Sequence, residues 1–151
     1  MIHSERGNKI ILLDNSQVLI ANIFSVTKTQ SKIDENFIRH LVLNTYRMVN
    51  TKFSKSYGEL IICDDTSHCW RKDDFEFYKA NRKRDQKKSS VDWNEIFDVM
   101  NTIRTEVREN FPYKCMAVDR VEADDVIAVL AKNYHESERV LIVSNDKDFQ
   151  Q

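Results

Sequence analysis

The chain has 151 residues, of which 41% are hydrophobic and 31% charged, and its formal net charge is −1. This length fits one domain with its own core, and the near-neutral balance excludes a globally basic protein, so a nucleic-acid partner would need a local basic patch. The three cysteines have no framework spacing, which predicts a reducing, cytoplasmic compartment. The chain begins with no apolar leader and contains no stretch long enough to span a bilayer, so we expect no membrane partner.

Short apolar runs alternate with stretches of helical spacing along the chain. The apolar runs predict strands at residues 9–14, 59–65, 114–118 and 140–144. The helical spacing predicts helices at residues 33–53, 91–111 and 122–135. We expect Ser90 to cap the second helix, and Phe97 and Val129 to be among the residues that face inward. Strands that alternate with helices favour an α/β domain built on a parallel sheet.

Acidic residues follow these strands. Because parallel strands joined by right-handed crossovers end at one edge of a sheet, we expect these carboxylates to meet there. The strand ends and the start of the third helix supply Asp14, Asp64 or Asp65 or both, Glu122, Asp124, Asp125, Asp146 and Asp148. Any one of them is more simply explained as a helix cap, a turn former or a partner of the helix dipole.

Together, however, unpaired carboxylates repel one another, and a hard divalent cation such as Mg²⁺ removes that conflict. The pattern therefore predicts a site for one or two divalent ions. Two ions roughly 4 Å apart would stabilise the attacking and leaving oxygens of a phosphodiester displacement.

A long polar segment, residues 66–90, separates the second strand from its helix. It contains six basic residues and one acid between Lys79 and Lys88, preceded by Phe75, Phe77 and Tyr78. A charge run of this kind is most often a solvated surface. Aromatic side chains stack on bases, however, and basic side chains follow phosphates. Beside an acidic edge, the segment predicts a surface that brings a polyanion to a metal site.

Three motifs of this chain resemble the flap-endonuclease and 5′-exonuclease family. They are Val121-Glu122-Ala123-Asp124-Asp125, then Val143-Ser144-Asn145-Asp146-Lys147-Asp148-Phe149, and Tyr78-Lys79-Ala80-Asn81-Arg82. The phage members of the family are the most similar, through residues 13–17, 39–44 and 70–73 as well. The resemblance runs from Ile10 to Gln151.

The resemblance implies a PIN-like α/β domain in three layers, with helices on both faces of a mainly parallel sheet and a basic arch at residues 66–90. It implies a Mg²⁺-dependent 5′-nuclease that removes 5′ flaps and RNA primers during phage DNA replication in the bacterial cytoplasm. Two Mg²⁺ ions are expected, and Mn²⁺ can substitute. The substrates would be DNA with a 5′ single-stranded flap and RNA–DNA hybrids.

Individual roles follow from the same resemblance. Asp14, Asp64, Glu122, Asp124 and Asp146 would serve the first metal, with Asp146 essential for catalysis, and Asp148 and Asp125 would serve the second. Lys79 and Arg82 would steady the scissile phosphate, and Tyr78 would stack on a base. The nucleic-acid contacts would further include Arg71, Lys72, Lys83, Arg84, Lys87 and Lys88. The spacing from Asp64 to Trp70 is shorter than in phage members, so the choice between Asp64 and Asp65 stays open.

The family pattern continues beyond the point where this sequence stops. Further strands, more second-site aspartates and a helix-three-turn-helix region follow in the family, and none is present here. We therefore expect a catalytic N-terminal half, partnered by a second polypeptide or by replication proteins such as a single-strand-binding protein, or else a truncated product. The alternatives are a PIN-type ribonuclease for single-stranded RNA and a non-catalytic module that binds single strands through residues 78–88.

Overall fold

A computed structural model describes residues 9–27, 33–88, 91–134 and 139–150. Four strands alternate with helices along these ranges. In chain order they are β1 (Ile10–Asp14), α1 (Asn15–Thr27), α2 (Glu35–Tyr57), β2 (Glu59–Cys63), α3 (Arg71–Asp74), α4 (Ala80–Lys88), α5 (Trp93–Asn110), β3 (Lys114–Met116), α6 (Ala123–Tyr134), β4 (Val140–Val143) and a 3-10 helix at Lys147–Gln150.

The four strands form one parallel sheet in the order β3-β2-β1-β4. The strands end nearly in register, because Asp14 lies opposite Cys63, Cys63 opposite Met116, and Leu13 opposite Val143. Every strand therefore delivers its following residues to the same edge of the sheet, as the sequence predicts.

Side-chain alternation along β1 builds a core on each face of the sheet. Ile11 and Leu13 pack with the apolar faces of α1, α2 and α5, whereas Ile10 and Leu12 pack with α6. All five residues of β1 are buried, as expected for a central strand covered on both faces. The predicted three-layer arrangement is confirmed.

Several helix predictions need correction. The sequence analysis assigns no helix to residues 15–27, yet α1 occupies them and buries Leu19, Ile23 and Val26. Helix α5 begins at Trp93 and is capped by Asp92, whose carboxylate accepts hydrogen bonds from two backbone N–H groups. The predicted cap, Ser90, lies outside the described residues.

The prediction of inward-facing residues is wrong at two positions. Phe97 is 41% exposed and Val129 is 58% exposed. In α5 the buried row instead includes Val99, which lies two positions from Phe97. Helix α5, which contains Phe97, and helix α6, which contains Val129, each have more apolar residues than one buried face can cover.

The segment at residues 66–90 contains two short helices, α3 and α4, in its described part. Residues 89 and 90 lie outside the description. None of the helices in the described ranges is long and apolar enough to cross a membrane.

The turn from α2 into β2 depends on Gly58. Its φ of +80° is a conformation that L side chains rarely adopt, and a Cβ placed there would lie 2.1 Å from the carbonyl oxygen of Lys9. The close approach is needed because Glu59 donates a backbone hydrogen bond to that same carbonyl at the start of the β1–β2 pairing.

We therefore expect Gly58→Ala to lower the free energy of unfolding by roughly 3 kcal/mol, from backbone strain plus the steric clash. Urea unfolding followed by circular dichroism measures this change. Ser56→Ala, at an exposed position of the same helix, is the control and should stay within about 0.5 kcal/mol of wild type. Equal stability of the two variants would show that the turn does not constrain the strand pairing.

Candidate functional site

Asp14 lies at the centre of the sheet edge, at the carboxyl end of β1, and is 2% exposed. Its carboxylate accepts hydrogen bonds from the Ser144 hydroxyl at 2.9 Å and from the Gln17 backbone N–H at 3.3 Å. Burial raises the pKa of Asp14, and the charges of Asp65 and Asp146 raise it further, against the lowering effect of the two hydrogen bonds. This residue therefore lies within electrostatic reach of acids that follow β2 and β4.

Asp124, in the first turn of α6, belongs to the same group. Its pKa is raised to about 6 by partial burial and by the charges of Asp14, Asp65 and Asp146, which outweigh the opposing charge of Lys79. Carboxylates from three other parts of the chain thus lie within electrostatic reach of Asp124. We call Asp14, Asp65, Asp124 and Asp146 the carboxylate cluster.

Asp65 is held on both carboxylate oxygens. One accepts the backbone N–H of Ala123 at 2.8 Å, and the other accepts a short hydrogen bond from the Ser16 hydroxyl. These contacts tie the end of β2 to the first turns of α6 and α1, and they hold Asp65 beside the other members of the cluster.

Asp64 makes a different set of contacts, although it is adjacent in sequence. It is buried, accepts a hydrogen bond from Asn15 Nδ2 at 2.6 Å, and lies 3.0 Å from Arg104 Nε in an ion pair. Burial raises the pKa of Asp64, while the Asn15 hydrogen bond and the Arg104 charge oppose that shift. The acid following β2 that joins the cluster is Asp65.

Asp146 and Asp148 follow β4, as the sequence predicts. The backbone N–H of Asp146 donates to the Ser144 hydroxyl at 3.0 Å, and that hydroxyl also contacts Asp14. The N–H of Asp148 donates to Asp146 Oδ1 at 3.0 Å. Asp148 itself is exposed, at the start of the 3-10 helix.

Glu122 contacts the basic segment. It accepts hydrogen bonds from Lys79 Nζ at 2.5 Å and from the Tyr78 hydroxyl at 2.7 Å, and Arg71 lies 3.3 Å away. Partial burial alone would raise the pKa of Glu122, but the hydrogen bonds from Lys79 and Tyr78 lower it overall. For Lys79 the signs are reversed. Burial alone would lower its pKa, but the hydrogen bond to Glu122 raises the pKa overall.

Asp125 forms a two-pronged ion pair with Arg71, at 2.5 and 2.6 Å. This pair lowers the pKa of Asp125 and raises that of Arg71. The Arg71 guanidinium also lies over the Trp70 ring, 4.6 Å from its centroid. Two of the acids assigned to metals by the resemblance are therefore neutralised here by residues assigned to nucleic acid.

Three other basic residues of the segment, Lys72, Arg82 and Arg84, are exposed, and Arg84 lies 4.0 Å from Asp85. The side chains of Lys83, Lys87 and Lys88 are not among those that the structure describes. Lys79 itself has a positive φ of 55°, which is uncommon for a residue with a side chain.

Five side chains that hold the acids in place were not among the residues predicted for the site. They are Asn15, Ser16, Tyr46, Arg104 and Ser144. Asn15 and Ser16 could have been found, because they directly follow Asp14 at the start of a helix. Tyr46 and Arg104 lie within helices far along the chain, where no local pattern marks them.

The carboxylate cluster has the donors that a hard cation prefers, since carboxylate oxygens bind Mg²⁺ and Mn²⁺ and water completes the shell. In the described ranges, no three acidic, histidine or cysteine side chains are already arranged around one point. Burial raises the pKa values of Asp14 and Asp124, and neighbouring carboxylates raise both further. The residues fit a divalent ion that is bound partly through water.

Comparison with known proteins gives consistent matches. Residues 9–151 match the family model described as 5′-3′ exonuclease, N-terminal resolvase-like domain. The whole chain is 34% identical to Ribonuclease H of Enterobacteria phage T4 and covers 51% of that protein. Over 92% of its length it is 31% identical to the 5′-3′ exonuclease of Buchnera aphidicola subsp. Schizaphis graminum (strain Sg), covering 46% of it. The chain thus spans about half the length of these relatives.

Two solved structures share the fold. The T5 D15 protein co-crystallised with metal ions superposes with a TM-score of 0.64 at 20% identity, over 93% of this chain and 49% of that one. The T5 5′-exonuclease with bound zinc gives a TM-score of 0.66 at 21% identity, over 93% and 50%. The PIN-like architecture expected from the sequence is confirmed. On the family match across residues 9–151, this chain belongs to the 5′-3′ exonuclease family and carries its N-terminal, resolvase-like domain.

Proposed function

We propose that this chain is the catalytic N-terminal half of a divalent-metal-dependent 5′-nuclease. Its reaction is hydrolysis of phosphodiester bonds in DNA with a 5′ flap and in RNA–DNA hybrids. The observation that carries the proposal is that Asp14, Asp65 and Asp146 lie close enough to Asp124, at one edge of a parallel sheet, for their charges to add to the effect of burial on its pKa. The names of the two relatives, a ribonuclease H and a 5′-3′ exonuclease, support it.

Mg²⁺ is the proposed cofactor, and Mn²⁺ substitutes for it. The two T5 structures are described with metal ions and with zinc, which supports divalent chemistry in this fold. The carboxylate cluster would hold the first ion, with Asp65 in the place that the resemblance gave to Asp64. Bound divalent ions supply positive charge that stabilises the attacking and leaving oxygens of the displacement.

The basic segment supplies the substrate contacts in this proposal. Lys79 and Arg71 now donate to Glu122 and Asp125, and a scissile phosphate offers them a replacement acceptor. Exchange of carboxylate for phosphate would free Glu122 to serve the first ion, and it would free Asp125 to serve a second ion together with the exposed Asp148. Binding of the phosphate and completion of the metal site would then depend on each other.

The exposed residues of the segment extend this surface. Lys72, Arg82 and Arg84 would follow the phosphates of a single strand, together with Lys83, Lys87 and Lys88 of α4. Tyr78 would leave Glu122 to stack on a base. Residues 66–90 are the proposed arch, and the strand would pass along it towards the carboxylate cluster.

The remaining partners are proposed for the whole protein. The relatives are about twice as long as this chain, and we propose that duplex DNA is bound outside these 151 residues, by further sequence or by a second polypeptide. Contact with replication proteins such as a single-strand-binding protein belongs to the same proposal. The proposed location is the cytoplasm of a bacterial host, in keeping with the T4 relative.

We expect Asp146→Asn to lower cleavage of a 5′-labelled flap DNA by at least about a hundredfold, because a cluster oxygen that binds the cation is lost. The assay uses this chain in Mg²⁺ and in Mn²⁺, with thermal unfolding as a check on folding. Glu109→Gln, an exposed acid near the end of α5, which leads into the start of β3 at the opposite edge of the sheet, is the matched control and should cleave like wild type.

An Asp146→Asn protein that cleaves like wild type would overturn the proposal. A plain RNA strand of the same length, cut faster than the flap, would instead favour a single-strand ribonuclease. A folded wild-type chain that binds single strands in a salt-sensitive way without cutting them would favour a non-catalytic module.

Lys79→Ala should weaken binding of the flap DNA about tenfold and reduce the salt dependence of binding by about one counter-ion, because one phosphate contact is lost. Fluorescence anisotropy in the Asp146→Asn background measures binding without cleavage. Lys55→Ala removes the same charge near the start of β2, at the opposite edge of the sheet, and should leave affinity and salt slope unchanged. Equal losses in the two variants would mean that binding reflects general charge alone.

A further inference from the structure

A group of polar side chains is buried beneath the carboxylate cluster, in a layer that is otherwise apolar. Asp64 and Asn15 are 4% and 1% exposed, and Tyr46 is completely buried. The Tyr46 hydroxyl donates to Asn15 Oδ1 at 2.5 Å, and Asn15 donates in turn to Asp64. The Arg104 guanidinium, 13% exposed, completes the group through its ion pair with Asp64.

Stability alone does not account for this arrangement. Replacing a buried ion pair by well-packed apolar residues is often neutral or stabilising, because both charges lose their hydration when they are buried. The surrounding side chains of α1, α2 and α5 are largely apolar, so an apolar set would fit the layer. The arrangement is better explained by what Arg104 contacts on its other side.

That contact leads directly to the carboxylate cluster. Arg104 Nη2 lies 2.8 Å from the Ser16 hydroxyl oxygen, and the Ser16 hydroxyl is also bonded to Asp65. Because a guanidinium can only donate, the Ser16 oxygen must accept there, and its single proton is directed to Asp65. Arg104 therefore fixes the direction of the hydroxyl, and the hydroxyl fixes one oxygen of Asp65. The other oxygen is held by the Ala123 N–H.

We propose that Arg104 is a positioning residue for the cation site and that it orients Asp65 through Ser16. Asp64 is the counter-charge that holds Arg104 in place, and it is not a metal ligand. This inference rests on the proposed function, since it assumes that the carboxylate cluster binds a divalent ion.

The most selective test removes only the Ser16 hydroxyl, which connects Arg104 to Asp65. Ser16→Ala keeps the Asp64–Arg104 pair and deletes the hydroxyl between Arg104 and Asp65. We expect the dissociation constant for Mn²⁺, measured by electron paramagnetic resonance of the free ion, to rise about tenfold. The unfolding midpoint without metal should stay at the wild-type value. Ser16→Thr retains the hydroxyl and should retain the affinity, and Ser25→Ala, on the exposed face of the same helix, is the matched control.

A second set of variants separates positioning from stability. Arg104→Leu leaves Asp64 buried without its partner and should lower both the unfolding midpoint and the Mn²⁺ affinity. The double variant Asp64→Leu/Arg104→Leu should recover the unfolding midpoint and still bind Mn²⁺ about tenfold more weakly than wild type. A purely structural pair would recover both properties together.

Three results would overturn the inference. The first is a Ser16→Ala protein that binds Mn²⁺ as tightly as wild type. The second is a folded Asp64→Asn protein that loses as much affinity as Asp65→Asn does. The third is a wild-type chain that binds no Mn²⁺, which would overturn the proposed function as well. The first two leave the proposed function standing, because metal binding by the wild type is then intact.

Discussion

Burial of carboxylates close to one another is the constraint on which the functional edge of this domain depends. A parallel sheet ends all of its strands on one side, so the acids that follow β1, β2 and β4 meet those at the start of α6. Asp14 is buried among them, and Asp124 has a pKa raised to about 6. An arrangement that opposes its own ionisation costs folding free energy, and the cation proposed for this site would offset that cost.

Three other acids of the region, unlike the carboxylate cluster, each form an ion pair. Glu122, Asp125 and Asp64 are each neutralised by a basic side chain, namely Lys79, Arg71 and Arg104 in that order. The first two pairs involve the segment proposed to meet nucleic acid, and phosphate can replace the carboxylates in them. In the third pair, Asp64 is buried and Arg104 is largely buried, which suits a fixed support.

Much of this edge could be predicted from local sequence. Asp14 and Asp146 directly follow apolar strands, so a strand assignment places them. Whether Asp64 or Asp65 joins the cluster could not be predicted, because successive residues at a strand end point in different directions and the choice depends on Arg104, forty residues away. Helix α1 was missed because its residues are apolar on most sides, and the exposure of Phe97 depends on which of two apolar rows of α5 the sheet covers.

The most direct test of the central claim is anomalous X-ray scattering from crystals of this chain soaked in Mn²⁺. We expect a peak bounded by Asp14, Asp65, Asp124 and Asp146, with at least two carboxylate oxygens at roughly 2.0–2.3 Å and the Asp64–Arg104 pair intact. A peak coordinated by Asp64, with Arg104 displaced, would contradict the division of roles between the adjacent aspartates. No peak at this edge at saturating Mn²⁺ would contradict the account of the carboxylate cluster as a cation site.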